Sequence, residues 1–258
     1  MQIRLIMGKS CQDEPLVLPL QYNHLIQGMI YHNIDKELGD FLHNKGYIHN
    51  KRSFKMFNYS RLIGRFKINR QQKTITFLSE VELYISSIID DFCKSFGNSL
   101  LKKGELRIGN NILAIKKMQL IPTETSSKDV LVQTLSPIVA YSTLLKPEGG
   151  KYTCYFMPGE PMFQQLVVEN LKKKWQAFYN RLPPEEFRIY PIGNHKQNII
   201  IYKNTVIKGA SGLFRLQGNI GLISFALGVG LGGKGSQGFS CLKLLKEGGE
   251  KSAIHICN

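Results

Sequence analysis

The pattern that most restricts how this chain can fold is one that occurs twice. IRLIM (residues 3–7) is an apolar run of strand length, and Leu25, Ile26, Met29, Ile30, Ile34 and Leu38 then recur at helical spacing. Two strand-like runs follow, KMFNYSRLIG (55–64) and KTITFLS (73–79). A second helix is expected with Ile85, Ile88, Ile89, Phe92 and Phe96 on one face and Gly97 as its stop signal. NILAIKKMQLI (111–121) supplies a last strand before Pro122. The polar, turn-prone TETSSK (123–128) reads as a linker. Beyond it DVLVQTLSPIVAY (129–141) starts the order again. A long helix follows with Phe163, Leu166, Val167, Leu171, Trp175 and Phe178 on one face, then strand-like FRIYPI, NIIIYK and GLFRLQG. GLISFAL, a glycine-rich stretch and FSCLKLL, which favours a strand, complete the second half. Strand–helix–strand–strand–helix–strand is the ferredoxin-like arrangement. The chain is therefore expected to be α+β, with two tandem ferredoxin-like domains (1–122 and 123–258) whose antiparallel sheets carry helices on one face.

Charge narrows the partners. Against 34 Lys and Arg stand 19 Asp and Glu, giving a net charge of +15 and a sequence pI near 9.6. Such an excess attracts polyanions, nucleic acid first and an anionic membrane surface second. Residues 43–73 concentrate it: Lys45, Lys51, Arg52, Lys55, Arg61, Arg65, Lys67, Arg70 and Lys73 occur there with no Asp or Glu. Tyr47, Phe54, Phe57, Tyr59 and Phe66 are interleaved, as in segments that neutralise phosphates and stack bases. Phe57 and Tyr59 also fit a strand in which buried and outward residues alternate.

The cysteines (Cys11, Cys93, Cys154, Cys241 and Cys257) are odd in number and far apart, so neither a disulfide framework nor a zinc site is signalled. A reducing cytoplasm fits. MQIRLIMGKSCQDE holds too short an apolar run for a signal peptide, and IGLISFALGVGLGG is too short and glycine-rich to span a bilayer. A cytoplasmic protein with no membrane partner is expected.

LGVGLGGKGSQGFS (227–240) comes close to a phosphate-binding G-x-x-x-x-G-K-[ST] loop, but Gly235 stands where the magnesium-binding hydroxyl belongs. A strand rather than a helix is expected after it, so a mononucleotide site is excluded. Its glycines still allow positive φ and a concave array of backbone amides, with Lys234 adding charge and Gln237 a neutral donor. The loop could hold an RNA phosphate backbone or be a turn tucked under a helix. The histidines His24, His32, His43 and His49 form no metal-spaced pair and have no carboxylate cluster beside them. A two-metal nuclease site is not signalled, and no metal or cofactor is expected. RNA cleavage without metal needs a base for the 2′-hydroxyl, an acid for the leaving 5′-oxygen and a cation for the phosphorane, which His, Tyr and Lys can supply.

Together YNHLIQGMIYHNI (22–34), FLHNKG (41–46), KMFNYSRL (55–62), TLSPI (134–138) and VGLGGKGSQGF (229–239) resemble the CRISPR-associated endoribonucleases that cut repeat RNA into guide units, the family numbered six among the Cas proteins. The glycine signature of that family is G-x-G followed after five residues by G-Φ-G. Here it is Gly230-Leu231-Gly232, GKGSQ, then Gly238-Phe239-Ser240, with Ser240 in place of the last glycine. The resemblance implies two RRM-like domains and metal-independent cleavage to a 2′,3′-cyclic phosphate and a 5′-hydroxyl. It implies a site formed by Tyr31, His43 and Lys55: His43 as general acid or base, Lys55 stabilising the pentavalent phosphate, and Tyr31 positioning the 2′-hydroxyl or sharing proton transfer. His49, Lys51 and Arg52 are rivals in the connection between His43 and Lys55. Lys51, Arg52, Arg215, Gly230, Gly232, Lys234, Gly235 and Gly238 are the expected RNA contacts. The expected partner is CRISPR repeat RNA, precursor and processed guide, with effector-complex proteins and a second copy of the chain as further partners. A non-catalytic repeat-RNA-binding module of an interference complex is the alternative, and a general single-strand binder the third reading.

Overall fold

A computed structural model describes residues 1–9, 14–145 and 149–247; Cys11 and Cys257 lie outside the described residues. In the first half, strands β1 (Gln2–Gly8) and β2 (Leu16–Pro19) precede helix α1 (Asn23–His32). A short helix α2 (Lys36–Asp40) is started by Asp35, whose carboxylate accepts from the Glu37 and Leu38 amides. It runs into a π-helical turn, Phe41–Lys45, and then into the hairpin β3 (Tyr47–His49) and β4 (Arg52–Phe54). Strands β5 (Phe57–Tyr59), β6 (Phe66–Asn69), β7 (Thr74–Phe77) and β8 (Val81–Ser87) follow. Helix α3 (Asp90–Lys103) and strands β9 (Glu105–Ile108) and β10 (Asn111–Ile121) close the half.

Two sequence expectations need correction here. Ile85 belongs to β8 and not to the second helix, which begins at Asp90. β8 lies between β1 and β5 and is buried on both faces, so its apolar run carries no period that separates strand from helix. Gly97 sits inside α3, whose end is Gly104 in the left-handed conformation. In addition, KTITFLS pairs as β7 with β2 and β6 in a separate three-stranded sheet, so β8 takes the place expected for it in the main sheet.

The second half runs β11 (Asp129–Thr134), a hairpin of β12 (Ala140–Leu145) and β13 (Lys151–Phe156), helix α4 (Pro161–Tyr179), β14 (Phe187–Tyr202), β15 (Thr205–Gly218), α5 (Ile220–Val229) and β16 (Leu242–Glu247). Pro161 opens α4 at the one helical position that tolerates its missing N–H. FRIYPI and NIIIYK merge into the single long β14, with a register break between Ile192 and Lys196. Pro191 is accommodated because β14 is the edge strand.

The main sheets have the orders β5-β8-β1-β10-β9 and β14-β15-β11-β16, antiparallel throughout. With β9 set aside as an extra strand added at the edge beyond β10, both read second, third, first, fourth within their copy, which is the ferredoxin-like order. One apolar core runs through both copies, and α5 packs on β5 and β8 as well as on β15 and β16. Buried side chains stitch the copies together. Gln2, which donates to Ser86 Oγ (2.7 Å) within its own copy, also donates to the Leu242 carbonyl (2.8 Å), Ser136 Oγ donates to the Tyr59 carbonyl (2.9 Å), and Asn58 donates to the Gly228 carbonyl (3.0 Å). Asn58 is thus buried beside Phe57 and Tyr59, and the alternation expected along that strand is absent because α5 covers its second face. No helix among the described residues is long and apolar enough to cross a membrane.

Candidate functional site

Helix α1 carries Asn23, Gln27 and Tyr31 four residues apart, hence in a row on one face. The first two hold the glycine loop. Asn23 Nδ2 donates to the carbonyls of Gln237 (2.8 Å) and Gly238 (3.3 Å), and Gln27 Nε2 donates to that of Ser236 (2.6 Å). Tyr31, third in the row, meets the His43 ring edge-on at 5.6 Å between centroids and packs equally close to Phe57. Burial together with the nearby Tyr202 hydroxyl pushes the Tyr31 phenol up to about 12, so it remains a neutral donor at physiological pH.

His43 is presented by the π-helical turn, an element that often marks functional positions. Its ring is exposed, with Nδ1 2.9 Å from Asn44 Oδ1. The turn closes with the Gly46 amide donating to the Phe41 carbonyl (2.7 Å), and Gly46 has φ +65. A β-carbon there would lie 2.7 Å from the Phe54 carbonyl, so glycine lets the hairpin fold back on the turn. That fold-back brings Lys55 to His43. Lys55 Nζ donates to the carbonyls of His43 (3.0 Å) and Lys45 (3.4 Å) and to Ser53 Oγ (3.2 Å). Partial burial pulls its pKa below the ordinary lysine value.

These residues line two separate clefts. One, of about 600 Å³, is lined by His24, Gln27, Tyr31, His32, Asp40, His43 and Lys203. The other, of about 450 Å³, is lined by Arg52, Lys55, Phe57, Tyr141, Lys174 and loop residues Gly233 to Gln237. The second holds Arg52, Lys55, Lys174 and Lys234 with no carboxylate among its described lining residues. Tyr31, His43 and Lys55 therefore come together, and Lys55 shares a cleft with Lys234 of the loop.

The remaining expected residues separate into groups. Arg52 and Gly235 border the cationic cleft; Lys51 is exposed at the tip of the β3–β4 hairpin, and His49 lies at the end of β3 beside Asn50. Gly230, Gly232 and Gly238 are buried. The Gly230 and Gly238 amides donate to Ala226 and Gly235, and the Gly233 amide to Val139 (2.8 Å), so these groups build the loop. Gly232 has φ +80 and stands so close to Val139 that a β-carbon would be 2.6 Å from its carbonyl oxygen. Arg215 is engaged with Asp129 at 2.8 Å across β11 and β15 and lines neither cleft. Arg65, Lys67, Arg70 and Lys73 belong to or flank the three-stranded sheet, away from the elements that form the clefts. Of the interleaved aromatics, Phe57 and Tyr59 are core residues, whereas Phe66 is 51% exposed.

Asn23, Gln27, Lys174 and Lys203 escaped the sequence reading. The first two were legible as polar residues on an otherwise apolar helical face. Lys203 reaches the Tyr31 cleft from the β14–β15 turn, where Lys203 and Asn204 both take positive φ. The Tyr202 hydroxyl beside it donates to Gln27 Oε1, joining that turn to α1. No local sequence signal announces such a long-range contact.

Two family models match this chain: the N-terminal region of CRISPR-associated protein Cas6 over residues 17–119 and its C-terminal region over 115–244. A protein of Methanocaldococcus jannaschii named CRISPR-associated endoribonuclease Cas6 1 is 28% identical over 93% of this chain and 92% of its own length. The Pyrococcus furiosus protein named CRISPR-associated endoribonuclease Cas6 is 24% identical over 90% of this chain and 86% of its own length. Among solved structures, a Cas6-related protein of Pyrococcus furiosus superposes with a TM-score of 0.81 at 23% identity, covering 96% of this chain and 99% of its own. An RAMP protein described as binding different RNA substrates gives 0.79 at 23% identity, over 95% of this chain and all (100%) of its own. With both family models together spanning the site and both ferredoxin-like copies, the chain belongs to the Cas6 family of CRISPR-associated proteins.

Proposed function

We propose that this protein is an endoribonuclease that cuts CRISPR repeat transcripts into guide units without a metal ion. The observation that carries the reading is the contact of three chemically suited groups: the Tyr31 ring edge-on to His43, and the Lys55 ammonium seated on the His43 carbonyl. In this reading the 2′-oxygen attacks the adjacent phosphorus and the bond to the 5′-oxygen breaks. The 2′-hydroxyl proton passes to a base and a proton is delivered to the leaving oxygen, giving a 2′,3′-cyclic phosphate and a 5′-hydroxyl. His43, exposed at the cleft rim, handles one of these protons. Tyr31 stays protonated and orients the 2′-hydroxyl by hydrogen bonding. Lys55 offsets the charge that develops on the phosphorane. Residues 1–122 form the catalytic half, and 123–258 the half that holds the glycine loop against the RNA. Arg52, Lys234 and the rim of the cationic cleft follow the phosphate backbone.

One observation favours the second reading, a module that binds repeat RNA without cutting it. Lys55 lines the cationic cleft rather than the one shared by Tyr31 and His43. A single experiment separates the two readings. Repeat RNA incubated with the protein in excess EDTA should yield fragments with cyclic-phosphate 3′ ends; retention of intact RNA in a stable complex would establish the binding module instead.

A further inference from the structure

Lys174 has no role in the chemistry above, yet among the described residues it is the one lysine or arginine that is buried. It lies on α4 with 6% of its surface exposed. Its Nζ donates to the carbonyls of Gly230 (2.8 Å), Gly232 (2.9 Å) and Val229 (3.3 Å). Val229 ends α5, so the ammonium sits where the aligned peptide dipoles leave partial negative charge. Three carbonyls match the three N–H groups of the charged form. The charged groups around it are Arg52, Lys55 and Lys234 in the cationic cleft, and Glu169 and Lys173 of its own helix, which line the adjoining cleft with Arg52. Glu169 is engaged with Lys173 at 3.2 Å. Burial pulls the Lys174 pKa down to about 7, the direction expected for an ammonium withdrawn from water.

The consequence lies in the loop. With the carbonyls of residues 229, 230 and 232 turned inward to Lys174, the next segment, Lys234 to Gln237, is left to line the cleft that Lys55 borders. Asn23 and Gln27 of α1 hold the carbonyls of Gln237 and Ser236 in the same segment. We propose that Lys174 is a positioning residue, whose ammonium draws in the carbonyls of Val229, Gly230 and Gly232 and so sets the glycine loop in the shape that meets repeat RNA. The RNA part of this inference rests on the ribonuclease reading; the shape of the loop does not.

The test uses Lys174→Met, which keeps the length and removes the donors, and Lys174→Gln, which restores a shorter neutral donor. Amide hydrogen exchange over residues 231–238 should rise about tenfold in Lys174→Met, with α1 and the β1–β10 pair unchanged. Binding of an RNA carrying the host's CRISPR repeat should weaken about tenfold. The loss should appear in affinity rather than in the cleavage rate at saturating RNA, and Lys174→Gln should fall between. Unchanged loop exchange in Lys174→Met overturns the proposal, as does failure of both variants to fold, which would make Lys174 a general structural residue. If the wild-type protein neither binds nor cuts repeat RNA, the ribonuclease reading fails, while the exchange measurement still decides the loop.

Discussion

The two ferredoxin-like copies share one strand order, and among the insertions that interrupt it, the two that carry the candidate site fall in different places. In the first copy the departure comes between the first helix and the second strand of the sheet, where α2, the π-helical turn and the β3–β4 hairpin are inserted. In the second copy it comes between the second helix and the last strand, as the glycine loop. The first insertion exposes side chains: His43, Lys51 and Arg52 all face solvent. The second buries backbone: Gly230, Leu231, Gly232 and Gly238 are enclosed, and carbonyls at 229, 230 and 232 are tied to Lys174. Groups that must change protonation state need water and freedom of rotation; a surface that must fit a phosphate chain needs a fixed backbone. In the proposed reading one insertion supplies the reacting groups and the other a fixed shape.

The division breaks most easily at His43. His43→Ala should slow single-turnover cleavage of repeat RNA by about 10²–10⁴-fold, the range of general acid–base catalysis. Because the ring is exposed and bonded to little beyond Asn44, affinity for the RNA and thermal stability should stay near wild type. Cleavage at the normal rate would remove the reactive role from the first insertion altogether.

Tyr31 tests the same comparison through pH. Its pKa is raised to about 12, so the hydroxyl is protonated throughout the range pH 6–10 and contributes no titration there. Tyr31→Phe should therefore lower the cleavage rate by roughly 10–100-fold, as expected when one positioned hydrogen bond is lost from a transition state. The shape of the pH–rate profile should not change between pH 6 and 10. A rising alkaline limb that vanishes in Tyr31→Phe would make the phenolate a base and contradict the burial argument.

Much of this arrangement was legible in the sequence, and the gaps have definite causes. The doubled strand–helix order could be read because α1 and α4 keep clear helical spacing, as Ile26, Met29 and Ile30 show in one and Phe163, Val167 and Leu171 in the other. Ile85 was misplaced because a strand buried on both faces and a buried helix look alike over seven residues. The grouping of Tyr31, His43 and Lys55 came from motif resemblance; spacing alone does not foretell the π-helical turn that brings His43 onto Tyr31. Lys174 was overlooked within KKK (172–174), which reads as a solvated charge run. Its position between Leu171, Trp175 and Phe178 on one helical face was the available signal, since the third lysine falls on the apolar stripe. Arg215 shows a different gap: nothing in the sequence around it announces the carboxylate across the ladder that engages it.

The smallest effect concerns Ser240, where this chain lacks the last glycine of its signature. Ser240 is fully buried (0% exposed) with φ 70, a left-handed conformation that costs a residue with a side chain about 1 kcal/mol relative to glycine. The hydroxyl offsets this by donating to the Gly233 carbonyl at 3.1 Å, and the Ser240 amide donates to Pro137 at 2.9 Å, so the turn is closed from both sides. Two opposing terms of similar size then predict different outcomes for two small substitutions. Ser240→Gly relieves the backbone and loses the hydrogen bond, and should change unfolding free energy by less than about 1 kcal/mol. Ser240→Ala keeps the strained backbone and leaves the Gly233 carbonyl without its donor, so it should destabilise by about 1–2 kcal/mol. Denaturant titration of both variants measures the difference. Equal stabilities of the two variants would mean that the left-handed backbone costs a β-carbon nothing, and Ser240→Ala as stable as wild type would mean that the hydroxyl bond to Gly233 contributes nothing.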